Sequence, residues 1–420
     1  MSGRIHVVGA GVAGLSAATA LAEQGRDVIL SDGARQAGGR CRSYVDERLG
    51  RRIDNGNHLL LSGNWAVRDY LARIGALDEL VGPDRASFPF VDVKTGERWV
   101  VKPGRGRLPF WLFREHMRVP DTNILDYLKA FRLRAARDGD NPRDLLNDGR
   151  ALYRRLWEPL CLGVLNTDPN EAQAKLLWPV LAETFMKGEA ACRPRVAKRG
   201  LSETFVDPAL AYLNAKGGRI GLSRRLKGLD MVDGFATKLR FAGEEVEVKA
   251  EDRVVLALPP YGLKALMPNL APPETFRMIV NAHFILPRAP ENLPWLVGLI
   301  NGAAHWIFVR NDIASATIGA AERLADADAE SIAETLWPEV CLSLRIPASP
   351  LPRYRIVKEK RATFAQIPSE VAKRPKPDAI GGNIVLAGDW TDTGVPASIE
   401  GAIRSGLAAA ELVDKPIAAT

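Results

Sequence analysis

Three glycines, Gly9, Gly11 and Gly14, constrain this chain more than any other feature. They stand at G-x-G-x-x-G spacing behind Ile5-His6-Val7-Val8, which reads as a short buried strand. Ser16 to Glu23 follows as an Ala/Leu-rich helix. In a strand–turn–helix unit of this kind each glycine has its own task. The first permits the tight turn, the second lets backbone approach a pyrophosphate, and the third lets the helix pack closely on the strand. The helix N-terminus then offers free N–H groups and a partial positive charge to that pyrophosphate. A second apolar strand, Asp27 to Leu30, leads to Asp32, where a carboxylate suits the ribose hydroxyls of an adenine dinucleotide.

At 420 residues the chain is longer than one hydrophobic core usually supports, so two domains are expected. No uninterrupted apolar run reaches the roughly 18 residues that a membrane span needs. Cys41, Cys161, Cys192 and Cys341 are scattered, with no C-x-x-C pair and no metal-ligand spacing, which favours reduced thiols, a cytoplasmic protein and no bound metal. The net charge of +7 is spread along the chain and no nucleic-acid module appears, so nucleic acid is not an expected partner.

Behind Asp32 comes Gly38-Gly39-Arg40, a flexible basic loop able to wrap a diphosphate or approach a flat ring. Asp54-Asn55-Gly56-Asn57-His58 then gathers polar groups ahead of Leu59-Leu60-Leu61, a cluster that either caps a turn or lines a site. Pro103 to Arg114 brackets Phe110-Trp111-Leu112-Phe113 with arginines, which fits a lipid interface or a buried elbow between domains. Asp126 to Ala136, Pro142 to Leu156 and Gln173 to Phe185 read as helices, making the middle third a mainly helical substrate or cap region. Met231 to Leu258 reads as a meander ending in a buried strand, and Ala282 to Ile318 as strand-rich. His283 and His305 inside that stretch read as structural residues. Ala327 to Leu344 is an amphipathic helix. At the far end, Asn383 to Ala387 forms a buried strand delivering Gly388 and Asp389 to a turn, and Pro396-Ala397-Ser398 opens a final helix. A domain that binds only NAD has no need of this distant return, whereas a longer, more buried flavin dinucleotide would use it.

With both ends read, the chain resembles the FAD-dependent amine oxidase and carotenoid desaturase superfamily, which has the same dinucleotide motif, Gly-Gly-Arg loop and C-terminal Gly-Asp strand–helix. Within it the chain is similar to the hydroxysqualene dehydroxylase family, also called squalene-associated FAD-dependent desaturases. The residues that narrow it are Asp54 to His58, where that family usually has Gln in place of Asn57, and Leu156-Trp157-Glu158-Pro159-Leu160 with Leu165-Asn166-Thr167. Leu201-Ser202-Glu203-Thr204-Phe205 with Asp207-Pro208-Ala209, and Gly388 to Gly394 with Pro396-Ala397, complete the set.

The resemblance implies an α/β fold: a discontinuous Rossmann-like FAD-binding domain (residues 1–65, 200–258 and 378–415) with a second, α+β substrate domain (66–199 and 259–377). It implies that Gly9, Gly11, Gly14, Asp32, Gly39 and Arg40 hold the ADP half of FAD, with the backbone of Leu226 at adenine. Gly388 and Asp389 would meet the diphosphate and ribityl chain, and Ala397 and Ser398 the isoalloxazine. The implied reaction is reductive dehydroxylation of a C30 isoprenoid alcohol, hydroxysqualene, to squalene, with electrons from an unidentified donor. Asp54 and His58 are the candidate catalytic residues, with Glu400 and Glu158 next. Peripheral contact with the inner face of the cell membrane is also expected. A carotenoid or phytoene desaturase, an amine oxidase, and a non-enzymatic prenyl-lipid carrier on the same fold are the competing readings.

Overall fold

The computed structural model describes residues 3–106, 109–287 and 295–413. Ile5–Val8 is buried along its whole length, and a strand buried on both faces belongs at the centre of a parallel sheet. Its sheet has five parallel strands, in the order Arg219–Gly221, Val28–Ser31, Ile5–Val8, Arg253–Leu256, Ile384–Leu386. The strands therefore come from the beginning, the middle and the end of the chain. The first helix, Val12–Glu23, and the last, Ile399–Val413, pack together on one side. Gly406 sets their separation, because a Cβ there would lie 2.3 Å from the carbonyl oxygen of Ala13. An antiparallel meander, Leu226–Val232, Phe235–Phe241 and Glu244–Glu247, shares a separate core with Val8, Val254 and Leu386.

A seven-stranded sheet follows the order Tyr354–Phe364, Phe276–Ile285, Ile313–Ile318, Trp306–Arg310, Leu296–Ile300, Phe88–Asp92, Arg98–Val101. Side chains alternate across a strand, and here the two faces differ in chemistry. Val280, Ala282, Phe284, Ala314 and Ala316 share a core with the helix Ala329–Leu344. The intervening positions Asn281, His283, Ser315 and Thr317 are polar, with Asn281 opposite Thr317 and His283 opposite Ser315. A polar sheet face is worth its desolvation only where it meets something polar, and this one meets the 54–58 loop.

The middle third is helical, though more broken than the apolar spacing predicts. Asp126 to Ala136 resolves into a short α-helix, Ile124–Leu128, and a 3₁₀ segment, Lys129–Ala135. Pro142 to Leu156 stops after one turn, Pro142–Leu146, and resumes as a π-helical turn, Tyr153–Trp157. Asn147 and Asp148 explain the interruption, since their side chains accept from the backbone N–H groups of Gly149 and Arg150 and so stabilise a turn. The buried-elbow reading of Pro103 to Arg114 fits Leu112, which is buried, but not Phe110 and Phe113, which are 67% and 71% exposed. Arg107 and Leu108 of that segment lie outside the described residues. All four cysteines are buried and unpaired with one another. No helix among the described residues is long and apolar enough to cross a membrane.

Candidate functional site

The dinucleotide turn is built as its glycines require. Gly9 has φ +112°, and a Cβ there would stand 2.3 Å from the carbonyl oxygen of Ala257. Gly14 lets the helix close on the turn, its virtual Cβ falling 1.9 Å from the Gly9 carbonyl oxygen. Gly11 differs: a Cβ there meets nothing within 4 Å, so its face opens onto a cradle. No side chain caps the helix that starts here and no acidic residue stands in its first turn, leaving an electropositive end directed at that space. Asp32 accepts from the Ala10 N–H (2.6 Å) and the Ala34 N–H (2.7 Å), which fixes its carboxylate at the rim of the turn.

The Gly-Gly-Arg loop crosses over this cradle. The Gly38 N–H donates to the Ala10 carbonyl at 2.7 Å, and the Arg40 guanidinium donates to the Ala362 carbonyl and to Asp389, each at 2.6 Å. Gly39, with φ +58°, makes the bend between them. The structure thus brings Gly9, Gly11, Gly14, Asp32, Gly39, Arg40, Gly388 and Asp389 to one place. An open glycine face, an uncapped helix end, a rim carboxylate and a guanidinium suit the diphosphate and ribose of a dinucleotide. Leu226 opens its strand with a buried side chain. Just before it, the Ser223 and Arg224 N–H groups donate to the carbonyls of Ala34 and Asp32, so the backbone leading into Leu226 runs beside Asp32.

Ala397 and Ser398 lie where the final helix begins, but their polar atoms are engaged. The Ala397 N–H donates to Gln366 Oε1 at 2.9 Å, and Ser398 Oγ accepts from the Gly401 N–H at 3.1 Å as a helix cap. Two residues missed by sequence reasoning hold this region. Gln366, fully buried, also donates to the Leu165 carbonyl. Arg374 donates to the carbonyls of Asp389, Thr391 and Val395, and so fixes the loop behind the Gly-Asp turn. Burial lowers the Arg374 pKa from its ordinary value. Nothing in a lone Gln or Arg announces such a task in sequence.

A cavity lies between the 54–58 loop and the polar face of the large sheet. Asp54, Asn57, His58, His283, Arg310 and Ser315 contribute its polar lining, and Leu201, Trp295 and Phe308 are among its apolar walls. Asp54 is 4% exposed and fully engaged. Its Oδ1 accepts from Ser43 Oγ (2.6 Å) and the Leu201 N–H (3.0 Å), and its Oδ2 pairs with Arg310. Asn57 donates to Asn281 Oδ1 (3.2 Å) and Thr317 Oγ1 (2.9 Å), tying the loop to the sheet. His58 and His283 are both pushed down to about 4, chiefly by burial, so both rings are neutral near neutral pH. The pairing of Asp54 with Arg310 joins residues 256 apart, which no local spacing reveals.

Glu400 and Glu158 lie outside this cavity. Glu400 accepts from the Ala66 and Val67 N–H groups at the start of the helix Trp65–Arg73 and pairs with Arg404. Burial raises its pKa, and its role is that of a remote helix cap. Glu158 opens the helix Glu158–Leu165, its pKa raised by burial and by Asp168, and it does not line the cavity.

Comparison with known proteins agrees with this architecture. Residues 12–414 match the family model of flavin containing amine oxidoreductases. The chain is 46% identical to the hydroxysqualene dehydroxylase of Rhodopseudomonas palustris, over 98% of this chain and 99% of the relative. It is 42% identical to that of Sinorhizobium fredii, over 98% of each. A solved putrescine oxidase superposes with a TM-score of 0.72 at 17% identity, covering 99% of this chain and 100% of the other. This chain therefore belongs to the flavin containing amine oxidoreductases and, within them, to the hydroxysqualene dehydroxylase family.

Proposed function

We propose that this FAD-dependent oxidoreductase converts hydroxysqualene to squalene by reductive dehydroxylation. One structural observation carries the reading beyond family membership. The cavity sets hydroxyl-binding side chains against apolar walls, as an alcohol on a hydrocarbon chain requires. In the net reaction the C–O bond breaks, the oxygen leaves with one added proton as water, and carbon gains a hydride equivalent. The flavin, when bound and reduced by an external electron donor, would supply the two electrons. The dinucleotide turn and Arg40 would hold its diphosphate, Asp32 its ribose, and Leu226 its adenine, while Ala397 and Ser398 would bound the ring. Asp54 would act by fixing Arg310 and the loop, and His58 by meeting the hydroxyl.

Residues 1–65, 200–258 and 378–415 would form the FAD-binding unit, a division supported by the three-part origin of the parallel sheet. The helix Trp65–Arg73 joins its core through Ala66, Val67, Tyr70 and Leu71. A contact with a membrane surface fits the exposed Phe110 and Phe113, flanked by Arg114. Trp111 stacks edge-on against Tyr127, so exposed Leu125, Leu128 and Phe131 belong to the same region.

The test is anaerobic mixing of the reduced enzyme with hydroxysqualene and, separately, of the oxidised enzyme with phytoene. Flavin oxidation with squalene as product is expected only from hydroxysqualene. Desaturation of phytoene by the oxidised enzyme, without dehydroxylation, would replace this reading with that of a desaturase.

A further inference from the structure

One residue lining the cavity beside the 54–58 loop carries a buried polar atom that the fold leaves without a partner. His283 is 1% exposed and lies opposite Ser315 on the neighbouring strand. Its Nδ1 stands 2.8 Å from Ser315 Oγ, while its Nε2 is buried without a hydrogen-bond partner. Native proteins rarely leave such an atom unpaired without a functional cause. His283 lines the cavity together with Asp54, Asn57, His58 and Arg310. Asp54 and Asn57 are already committed to Ser43, Leu201, Arg310, Asn281 and Thr317.

We infer that His283, through its Nε2–H, is a hydrogen-bond donor that, beside His58, engages the departing hydroxyl oxygen of the substrate, with Ser315 fixing the tautomer. The inference rests on the dehydroxylation reading above and adds a catalytic residue to it. With the Ser315 hydroxyl donating to Nδ1, Nε2 keeps its hydrogen and is a free donor on a ring that lines the cavity. The charged groups that act on the ring are Asp54 and Asp46, which favour its protonation, and Arg310 and Arg355, which oppose it, and burial outweighs the acids to keep it neutral. A neutral donor in a site with little water gains strength as the oxygen accumulates negative charge during C–O cleavage. The same contact separates substrate from product. An alcohol oxygen accepts the bond, and a hydrocarbon has nothing to accept it with.

Two measurements test this on the FAD-loaded protein. Oxidised wild type, His283→Phe, His283→Asn and His283→Gln are titrated with hydroxysqualene and with squalene, and the reduced forms are mixed anaerobically with hydroxysqualene. Wild type should prefer the alcohol by about ten-fold, the yield of one buried hydrogen bond. His283→Phe should lose that preference and slow flavin oxidation by about 100-fold. Gln places an amide N–H near the Nε2 position and should keep most of both properties. Asn can hold Ser315 but not reach the cavity, so it should behave as Phe does even if Phe misfolds. Unchanged alcohol preference and rate in the Phe or Asn variant overturn the inference and leave the reaction standing. Wild-type enzyme that hydroxysqualene does not oxidise removes the reaction itself, and the inference with it.

Discussion

The Arg40 guanidinium lies 2.6 Å from the Asp389 carboxylate, although 349 residues separate them in the chain. This pair clamps the Gly-Gly-Arg loop to the C-terminal Gly-Asp turn beside the dinucleotide cradle. Arg40→Ala removes the clamp and, on the proposed assignment, a donor for the diphosphate. Charge-assisted hydrogen bonds are each worth about 1.5–3 kcal/mol, so FAD affinity should fall by about 10- to 100-fold. Lys at this position supplies charge without the planar fork and should restore only part of it. Recovery of flavin fluorescence on dilution measures the release; an Arg40→Ala protein that retains FAD as wild type does would remove Arg40 from the site.

Gly11 and Gly14 should respond differently to the same added methyl group. A Cβ at Gly11 enters the open cradle, so Gly11→Ala should fold normally and bind FAD weakly. At Gly14 the methyl strikes the Gly9 carbonyl oxygen, so Gly14→Ala should lower stability by about 1–3 kcal/mol through overpacking. Urea unfolding of the apoproteins, alongside FAD titration, separates the two. Equal loss of stability at both positions would mean that Gly11 does not face the ligand.

Asp54 and Arg310 form a buried pair that bridges the loop and the sheet, with the Asp54 side chain 6% exposed and that of Arg310 24%. Removing one partner leaves the other charge stranded. Asp54→Asn should therefore cost about 3 kcal/mol, visible as a lowered unfolding temperature. Asp54→Asn with Arg310→Met should recover part of that loss. If Asp54 were instead a free proton donor, the single variant would abolish turnover at wild-type stability.

Stability should also fall on acidification before the carboxylates titrate. Burial holds His283 down to about 4, against 6.5 when the chain is unfolded. The unfolded chain therefore binds this proton first, so the contribution is complete above pH 6.5 and is lost as pH falls from there towards 4. For His283 the loss is about 3 kcal/mol, and His305, held near 4 by the same cause, adds to it. Chemical denaturation at several pH values between 7 and 4 measures this. A flat profile in wild type, or the same slope in His283→Gln, would refute the assignment.

Phe110, Phe113, Leu125, Leu128 and Phe131 present apolar surface beside Arg114, Arg132 and Arg134, while the nearby acids Asp126 and Asp148 are paired with Arg150 and Lys129. The protein should float with vesicles containing anionic lipid and detach as salt screens the arginines. Phe110→Asp with Phe113→Asp should prevent flotation without altering FAD content. No flotation of wild type at low salt would end the proposal.

Strong local grammar made the nucleotide side legible in the sequence. A glycine turn, a strand-end carboxylate and a strand–turn–helix return each carry their own steric requirement, and the parallel sheet follows from them. The middle third was harder, because apolar spacing ran through Asn147-Asp148-Gly149, where side-chain bonds to backbone outcompete helix. In the candidate site, Asp54 and His58 stood out through their cluster, and both line the cavity. His283 did not, because its meaning depends on lying across from Ser315 and facing a cavity, both products of sheet register. Arg310, Gln366 and Arg374 were silent for the same reason, since each acts through contacts far away in the chain.

The parallel sheet has a consequence for biosynthesis. Its edge strand, Ile384–Leu386, and the helix Ile399–Val413 that packs on Val12–Glu23 leave the ribosome long after the dinucleotide turn. Until they emerge, the dinucleotide turn has no Asp389 to meet Arg40, and the face of the first helix around Ala13 and Ser16 stands bare. Flavin loading should therefore follow synthesis of residues 384–413, and a transcript truncated before residue 384 should yield a polypeptide with an apolar flank for chaperones or proteases to seize.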